Sequence, residues 1–279
     1  MRLTYENERG KVTMYGGGNI RGINILTING LSIPENNVST VRYPNQAGQF
    51  VTKSTPMERF ITIAADVYDE NTKHISNAQK VFSLPGNLYI TTSEKTKKIN
   101  CRCVSFDTGV KKGSYAPFTV QFCADNPYFE DIYETKRSIS KREGNIKAPF
   151  VLGCEFSKRH TENNVINSGD VSIEPVFEIT SEKGIICPDG ITIKNKTNGN
   201  FITLDTEISA GETITVDIKN RKIMSSVRGN IISCIRKETS LSRFLIDTGV
   251  SLVEIATPGA TGELSGLIKY RNSYAALSV

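Results

Sequence analysis

The sequence has no tryptophan, two histidines among 279 residues, and no apolar run approaching the ~18 residues a membrane-crossing helix needs. Each shortage removes something. Two histidines, His74 and His160, are too few for most catalytic or metal centres, and neither has a neighbour that suggests a triad; both read as surface residues. Sugar clefts commonly stack rings on aromatic faces, often tryptophan, so its absence weakens a glycosidase reading even though paired carboxylates can lie far apart in sequence. The opening MRLTYENERG lacks the apolar core of a signal peptide. The six cysteines (101, 103, 123, 154, 187, 234) are therefore expected to be reduced, and the Asn-x-Ser/Thr sites at Asn37 and Asn195 carry no meaning. Clustered positive charge is also scarce. Net charge is +5, but residues 1–132 carry 15 Lys/Arg against 12 Asp/Glu, interleaved, which is a poor footprint for nucleic acid. The most basic stretch, Lys136 to Arg159, also holds Glu143 and Glu155 and reads as a solvated linker face.

What is present is β-sheet signal. With 38% apolar and 23% charged residues, the chain can build a packed core. ITIAADV (61–67) alternates, and LYITT (88–92), INCRCVSF (99–106) and FTVQFC (118–123) follow it. One helix is expected between the first two, capped by Asp69 or Asn71, with Ile75, Ala78, Val81 and Phe82 as its apolar stripe and Pro85-Gly86 as its stop. Residues 130–150 are charged and aperiodic, a connector. Beyond them come VSIEPVFEI (171–179), ITIKN (191–195), FITLD (201–205), ETITVDI (212–218), KIMSSV (222–227), VSLVEI (250–255) and LSGLIKY (264–270), with a tight hairpin at Asn220-Arg221. Short strands at this spacing predict a sandwich or jelly roll. The fold class is thus mainly β: an N-terminal β-sandwich-like domain with one α-helix over 1–132, then a second β-sandwich over 133–279, the boundary falling within 130–150.

The remaining candidates for chemistry have bland explanations. Cys101 and Cys103 share one face of an alternating strand, but no second pair or histidine follows at zinc spacing, so they read as small core side chains. Gly16-Gly17-Gly18 precedes no helical pattern and no Lys-Ser/Thr, so it is a turn and not a phosphate cradle. Asp125-Asn126-Pro127-Tyr128 is similar to the loop of amino-methyltransferases, which would require a doubly wound α/β domain that the sequence does not offer. Pro127 cannot continue a central strand and disfavours helix at Asn126, so the tetrapeptide ends the strand before it. No catalytic residue, cofactor or metal site is expected, and binding residues remain unassigned.

The same residues carry a family likeness. Tyr115, Phe118, Val120 and Phe122, running into Asn126, Pro127, Tyr128 and Phe129, resemble the end of the N-terminal domain in distal tail proteins of long-tailed bacteriophages. LTYENERG (3–10) is similar to the opening of such proteins, RFITIAADVYDE (59–70) to their central strand, and INSGDVSIEPVFEI (166–179) to their Asn-x-Gly-Asp-x-x-x-x-Pro segment. Residues 191–223, with a Gly-Glu-x-x-x-x-Asp pattern, and LIKYRNSYAAL (267–277) extend the likeness over nearly the whole chain. FLIDTGVSLVEI (244–255) departs from it by lacking a proline, though Asp247 and Gly249 keep a turn there.

The resemblance implies a structural protein of the virion tail tip, made in the bacterial host cytoplasm. Its N-terminal domain would form a homo-oligomeric, hexameric ring, and its C-terminal domain would be galectin-like. The ring would join the tail tube protein to the tail-associated hub or lysin protein, and in some phages it would carry a receptor-binding protein. The stretches 30–56 and 106–117 would then be candidates for contacts between copies or for the lumen, and Lys111-Lys112 for a site facing the genome. The alternative is a binding module in which the C-terminal sandwich takes host cell-wall polysaccharide, with Tyr270 or Tyr274 as stacking rings.

Overall fold

The computed structural model describes residues 1–17, 22–68, 73–92, 95–111, 113–139, 141–144, 157–259 and 264–277. The chain forms two compact units, Met1–Ile132 together with Ser273–Val279, and Tyr133–Asn272. The second unit is thus an insertion within the first. The sequence reading carries the second domain through to residue 279; the structure instead returns the last residues to the first unit.

Unit 1 contains β1 (Arg2–Asn7), β2 (Gly10–Tyr15), β3 (Ile23–Asn29), β4 (Asn36–Val41), β5 (Phe50–Pro56), β6 (Arg59–Tyr68), α1 (Lys73–Phe82), β7 (Gly86–Thr91), β8 (Thr96–Thr108), β9 (Tyr115–Ala124) and β10 (Phe129–Asp131). Its pairings run β8-β7-β1-β2-β3-β6-β9 and then return from β9 to β8, so the sheet closes on itself. Closure depends on the thirteen-residue β8, whose first half pairs with β7 and whose second half pairs with β9 across a register shift between Cys103 and Ser105. Alternation does the rest: Ile61, Ile63, Ala65 and Val67 of β6 point inward with Phe118, Val120 and Phe122 of β9.

The helix forms where its stripe predicts. Ala78, Val81 and Phe82 are buried and Ile75 packs at the edge, while the expected caps Asp69 and Asn71 lie outside the described residues. Phe82 meets Tyr5 and Phe122 edge-on, with ring centroids 5.4 and 5.2 Å apart. The end of α1 is tied to β1 by two residues of the LTYEN motif. The Tyr5 hydroxyl donates to the Leu84 carbonyl at 2.6 Å, and Asn7 Nδ2 donates to the carbonyls of Val81 and Leu84 at 2.6 and 3.0 Å, satisfying acceptors that a helix end leaves open.

Unit 2 is a two-layer sandwich. Its elements are β11 (Thr135–Ser138), β12 (Lys141–Gly144), β13 (Ser157–His160), β14 (Glu162–Asn167), β15 (Val176–Thr180), β16 (Ile191–Asn195), β17 (Phe201–Leu204), β18 (Thr213–Asp217), β19 (Lys222–Ser225), β20 (Gly229–Asn230), β21 (Gly249–Ala256) and β22 (Ser265–Tyr270). One sheet is ordered β11-β22-β15-β18-β19-β20 and the other β14-β21-β16-β17, while β12 and β13 pair separately. Phe177, Ile179, Val216 and Ile268 of the first sheet share a core with Val165, Ile193, Ile202 and Val253 of the second. Two expectations change here. VSIEPVFEI is not one strand, because Pro175 precedes β15 and upstream of it Val171 and Ile173 make only isolated bridges, Ile173 with Ile246. The connector read over 130–150 contains β11, which pairs along β22.

The proline missing from FLIDTGVSLVEI is replaced by side-chain hydrogen bonds. Asn167 and Asn195, both buried, donate to the carbonyls of Ile246 and Leu245 at 3.3 and 3.0 Å, and Asp247 accepts from Ser172 and Asn198. The Gly-Glu-x-x-x-x-Asp stretch has an equally physical basis. Asp217 accepts from the backbone N–H of Asn220 at 2.9 Å and fixes the β18–β19 turn. Glu212 is fully buried and accepts from Ser225 Oγ, from the Ser209 N–H at 2.8 Å and from Arg228 Nε at 2.8 Å. Burial alone would raise its carboxyl; the bonds from Ser225, Ser209 and Arg228 outweigh this and hold it down at about 2.

A carboxyl depressed on folding contributes stability above its unfolded value near 4.5 and loses it as pH falls towards 2. Glu212→Gln should lower the stability of unit 2 at pH 7 by about 2–4 kcal/mol, since it leaves a buried network short of its charge. The gap between variant and parent urea midpoints should close between pH 4.5 and 2.

Candidate interaction surface and its anchor

The residues singled out for chemistry do not assemble into a site. His74 is exposed on α1, and His160 lies at the end of β13 in the other unit. Burial pushes the Cys101 thiol up to about 12 and raises those of Cys103 and Cys123, which disfavours the nucleophilic thiolate at all three. Among the described residues no three His, Cys, Asp or Glu side chains are placed to hold a metal. Of the triple glycine, Gly16 donates its N–H to the Met1 carbonyl at 3.0 Å, and Gly18 lies outside the described residues. Lys111 is exposed; Lys112 is outside the described residues. The proposed stacking rings are unavailable. Tyr270 is 4% exposed with its hydroxyl donating to the Ile166 carbonyl, and Tyr274 lies in unit 1 beneath the Lys97 ammonium, 3.5 Å from its ring centroid.

Asp125-Asn126-Pro127-Tyr128 does end β9. Asn126 accepts from the Tyr128 N–H at 3.2 Å, and Asp125 pairs with Arg102. The turn also serves a residue the sequence reading missed. Arg59, the first residue of β6, is 3% exposed, and among the described residues it forms no ion pair with a carboxylate. Its guanidinium donates to four backbone carbonyls: Pro127 at 2.5 Å, Gly30 at 2.6 Å, Ser32 at 2.5 Å and Ala275 at 2.6 Å. It also stands 4.5 Å from the centroid of the Phe129 ring. Burial lowers its ionisation to about 10, so the cation persists at neutral pH. Gly30 is obligatory at this junction: it has φ +92°, and a Cβ there would come within 2.0 Å of the Phe60 carbonyl oxygen.

The segment that Arg59 anchors leads into the main exposed feature of unit 1. Residues 30–56, one of the stretches singled out for contacts between copies, are largely a hairpin of β4 and β5 that among the described residues pairs with no other strand. Every residue of both strands is exposed. The Met57 N–H donates to the Glu35 carbonyl at 2.8 Å and closes its neck, and Thr52 Oγ1 donates to the Ser39 carbonyl at a register shift. Near the tip Tyr43 and Phe50 meet edge-on at 5.4 Å. Alternation puts Val38 and Val51 on one face and Val41 and Phe50 on the other, and all four are at least 40% exposed. Ile33, Met57 and Phe60 continue this apolar surface onto the root. Residues 36–56 carry Arg42 and Lys53 and no acidic group. A lone two-stranded hairpin is marginally stable in water, and exposed apolar residues on both faces mark a surface that gains by being covered.

No protein-family model and no curated protein matches the sequence. Solved structures share the fold. The Dit protein of phage SPP1, described as a paradigm of the hub adsorption apparatus in phages infecting Gram-positive hosts, aligns with a TM-score of 0.67 at 9% identity, over 90% of this chain and 93% of that one. A chain of the phage P2 baseplate, in its activated conformation with calcium, aligns with a TM-score of 0.51 at 9% identity, over 99% of both chains. The fold of this chain is therefore that of phage distal tail and baseplate proteins, in line with the resemblance carried by its motifs.

Two outcomes follow for substitutions at these positions. Arg59→Leu should destabilise unit 1 by about 3–5 kcal/mol, read as a loss in urea midpoint, because it strands four carbonyls that the guanidinium satisfies. Phe50→Ser with Val51→Asp should move the midpoint of the single-chain form by no more than ~0.5 kcal/mol, as expected for exposed positions.

Proposed function

We propose that this chain is a structural component of a phage or prophage tail tip that assembles into a closed ring, with a galectin-like second unit, and joins the tail tube to the hub or lysin protein and to the host-adsorption proteins. The observation that carries the reading is the two-unit fold shared with SPP1 Dit across 90% of the chain. The hairpin supports it. A sheet that closes on itself leaves few edges for association, while the β4–β5 arm keeps unpaired edges and exposed valines, Phe50 and Tyr43 for a neighbouring copy. A head-to-tail contact of this kind uses two different surfaces and closes when the rotation between copies does. No reaction is assigned to the protein; its function lies in its contacts.

Saccharide binding by unit 2 has lost the two rings offered for it. Among the described residues of that unit the exposed aromatic side chains are Tyr133, at its first position, and Phe201 on β17.

Light scattering on the purified protein tests the ring. Six copies of the 30.8 kDa chain, about 185 kDa, with a central hole in negative-stain images, is the expected result. The Phe50→Ser, Val51→Asp variant should run at the mass of a single chain. A parent protein that stays at single-chain mass both alone and with its tube and hub partners would overturn the proposal.

A further inference from the structure

The arm's root is held by residues that the ribosome makes only after the whole of unit 2. Ser273–Tyr274, here β23, pairs with β10, placing Phe129 opposite Tyr274 and Glu130 opposite Ser273. The Ala275 carbonyl then accepts from Arg59, whose other acceptors include Gly30 and Ser32 at the entry to the arm. Two residues on, the Leu277 N–H donates to the Leu31 carbonyl at 2.9 Å, between those same two acceptors, and the Leu277 side chain packs on the unit 1 core. Lys97 adds a second tie. Its ammonium bonds Asp131 of β10 at 2.5 Å and covers the Tyr274 ring, so one cation touches both the strand leaving for unit 2 and the strand coming back.

These contacts are asymmetric in time. Arg59 and Ala275 lie 216 positions apart, and all of unit 2 is made between them. At usual translation speeds that is about 10–40 s during which residues 30–32 and Arg59 exist without their strap. Until the strap arrives, Arg59 lacks one of its acceptors, the Leu31 carbonyl lacks its donor, and Phe129 lacks its strand partner.

We propose that residues 273–277 form a strap that sets the root of the β4–β5 arm, so that the arm becomes competent for self-association only once unit 2 and the segment that follows it have been made. The inference rests on the reading of the arm as a self-association element. It adds a control on when that element acts: a nascent or truncated chain would hold an unset arm and would not enter a ring.

Hydrogen exchange and light scattering on three proteins test it: the full chain, a chain ending at Asn272, and full-length Leu277→Ala. In both altered proteins the Met57 amide, which donates to the Glu35 carbonyl at the neck of the arm, should exchange at least about tenfold faster, because the bonds that fix the root are lost or weakened. The β6–β9 amides and those of unit 2 should keep their protection, and mass should fall to that of a single chain. Unchanged protection of the Met57 amide in both altered proteins would overturn the strap, whatever their mass. So would loss of β6–β9 protection alongside the root in both, since the segment would then be ordinary body and no specific control on the arm. A full chain that runs as a monomer while its root responds as expected would uphold the strap and remove only the self-association reading.

Discussion

A buried guanidinium satisfied by main-chain carbonyls holds the first unit together at the place where most of its chain crossings meet. Arg59 contacts the entry to the arm through Gly30 and Ser32, the turn after β9 through Pro127, and the returning C-terminal segment through Ala275. An arginine nearly free of solvent contact is ordinarily matched with a carboxylate. Here planar geometry substitutes for countercharge, since a fork of N–H donors can meet carbonyls that converge from several directions. The face of Phe129 adds cation–π attraction. Three segments distant in sequence are thereby fixed by one side chain at the start of the central strand.

Around this point the unit divides its surface sharply. The closed circuit of strands pairs most of its own hydrogen-bonding edges, its shortest join being the two-residue pairing of β2 with β3, and α1 packs Phe82 into the aromatic cluster of Tyr5, Phe106 and Phe122. The body is thus self-sufficient. The arm is not: it has two strands, no core of its own, and apolar residues on both faces. A rigid body carrying an incomplete arm is what an assembly subunit requires, because the body can fold before association and the arm can be covered only by it.

Local pattern made much of this visible in the sequence. Period-two alternation located β6, β7, β9, β16, β18, β21 and β22, and spacings of three and four located α1. Pro127 was legible as a strand stop because its effect is confined to its neighbours. The motifs that carried the family likeness also have local uses in this chain: Tyr5 and Asn7 close the end of α1, Asn167 shapes a turn, and Glu212 ties Ser209 to Ser225 and Arg228. What the sequence hid is long-range. The β8–β9 pairing that closes the sheet, the return of residues 273–277, and the role of Arg59 leave no periodic trace. An arginine opening an alternating strand looks the same whether it is solvated or buried. The arm escaped for another reason: its Thr, Ser and Asn content mimics a loop, and strands exposed on both faces have no apolar alternation to display.

The anchor of this chain makes few demands on sequence, which fits a fold shared with SPP1 Dit at 9% identity. The four acceptors of Arg59 among the described residues are backbone carbonyls, and every residue type supplies one. The same holds for the ties from Tyr5 and Asn7 to the end of α1 and from Asn195 to Leu245. A clamp built on main-chain oxygens constrains the donor and the path of the chain, with little demand on the side chains it passes. Sequence around such clamps is free to drift so long as inward positions stay apolar and the few tight turns keep a residue such as Gly30. In this chain the architecture is held by a small set of long polar side chains reaching for backbone, and most of the remaining sequence is constrained only by which way each position faces.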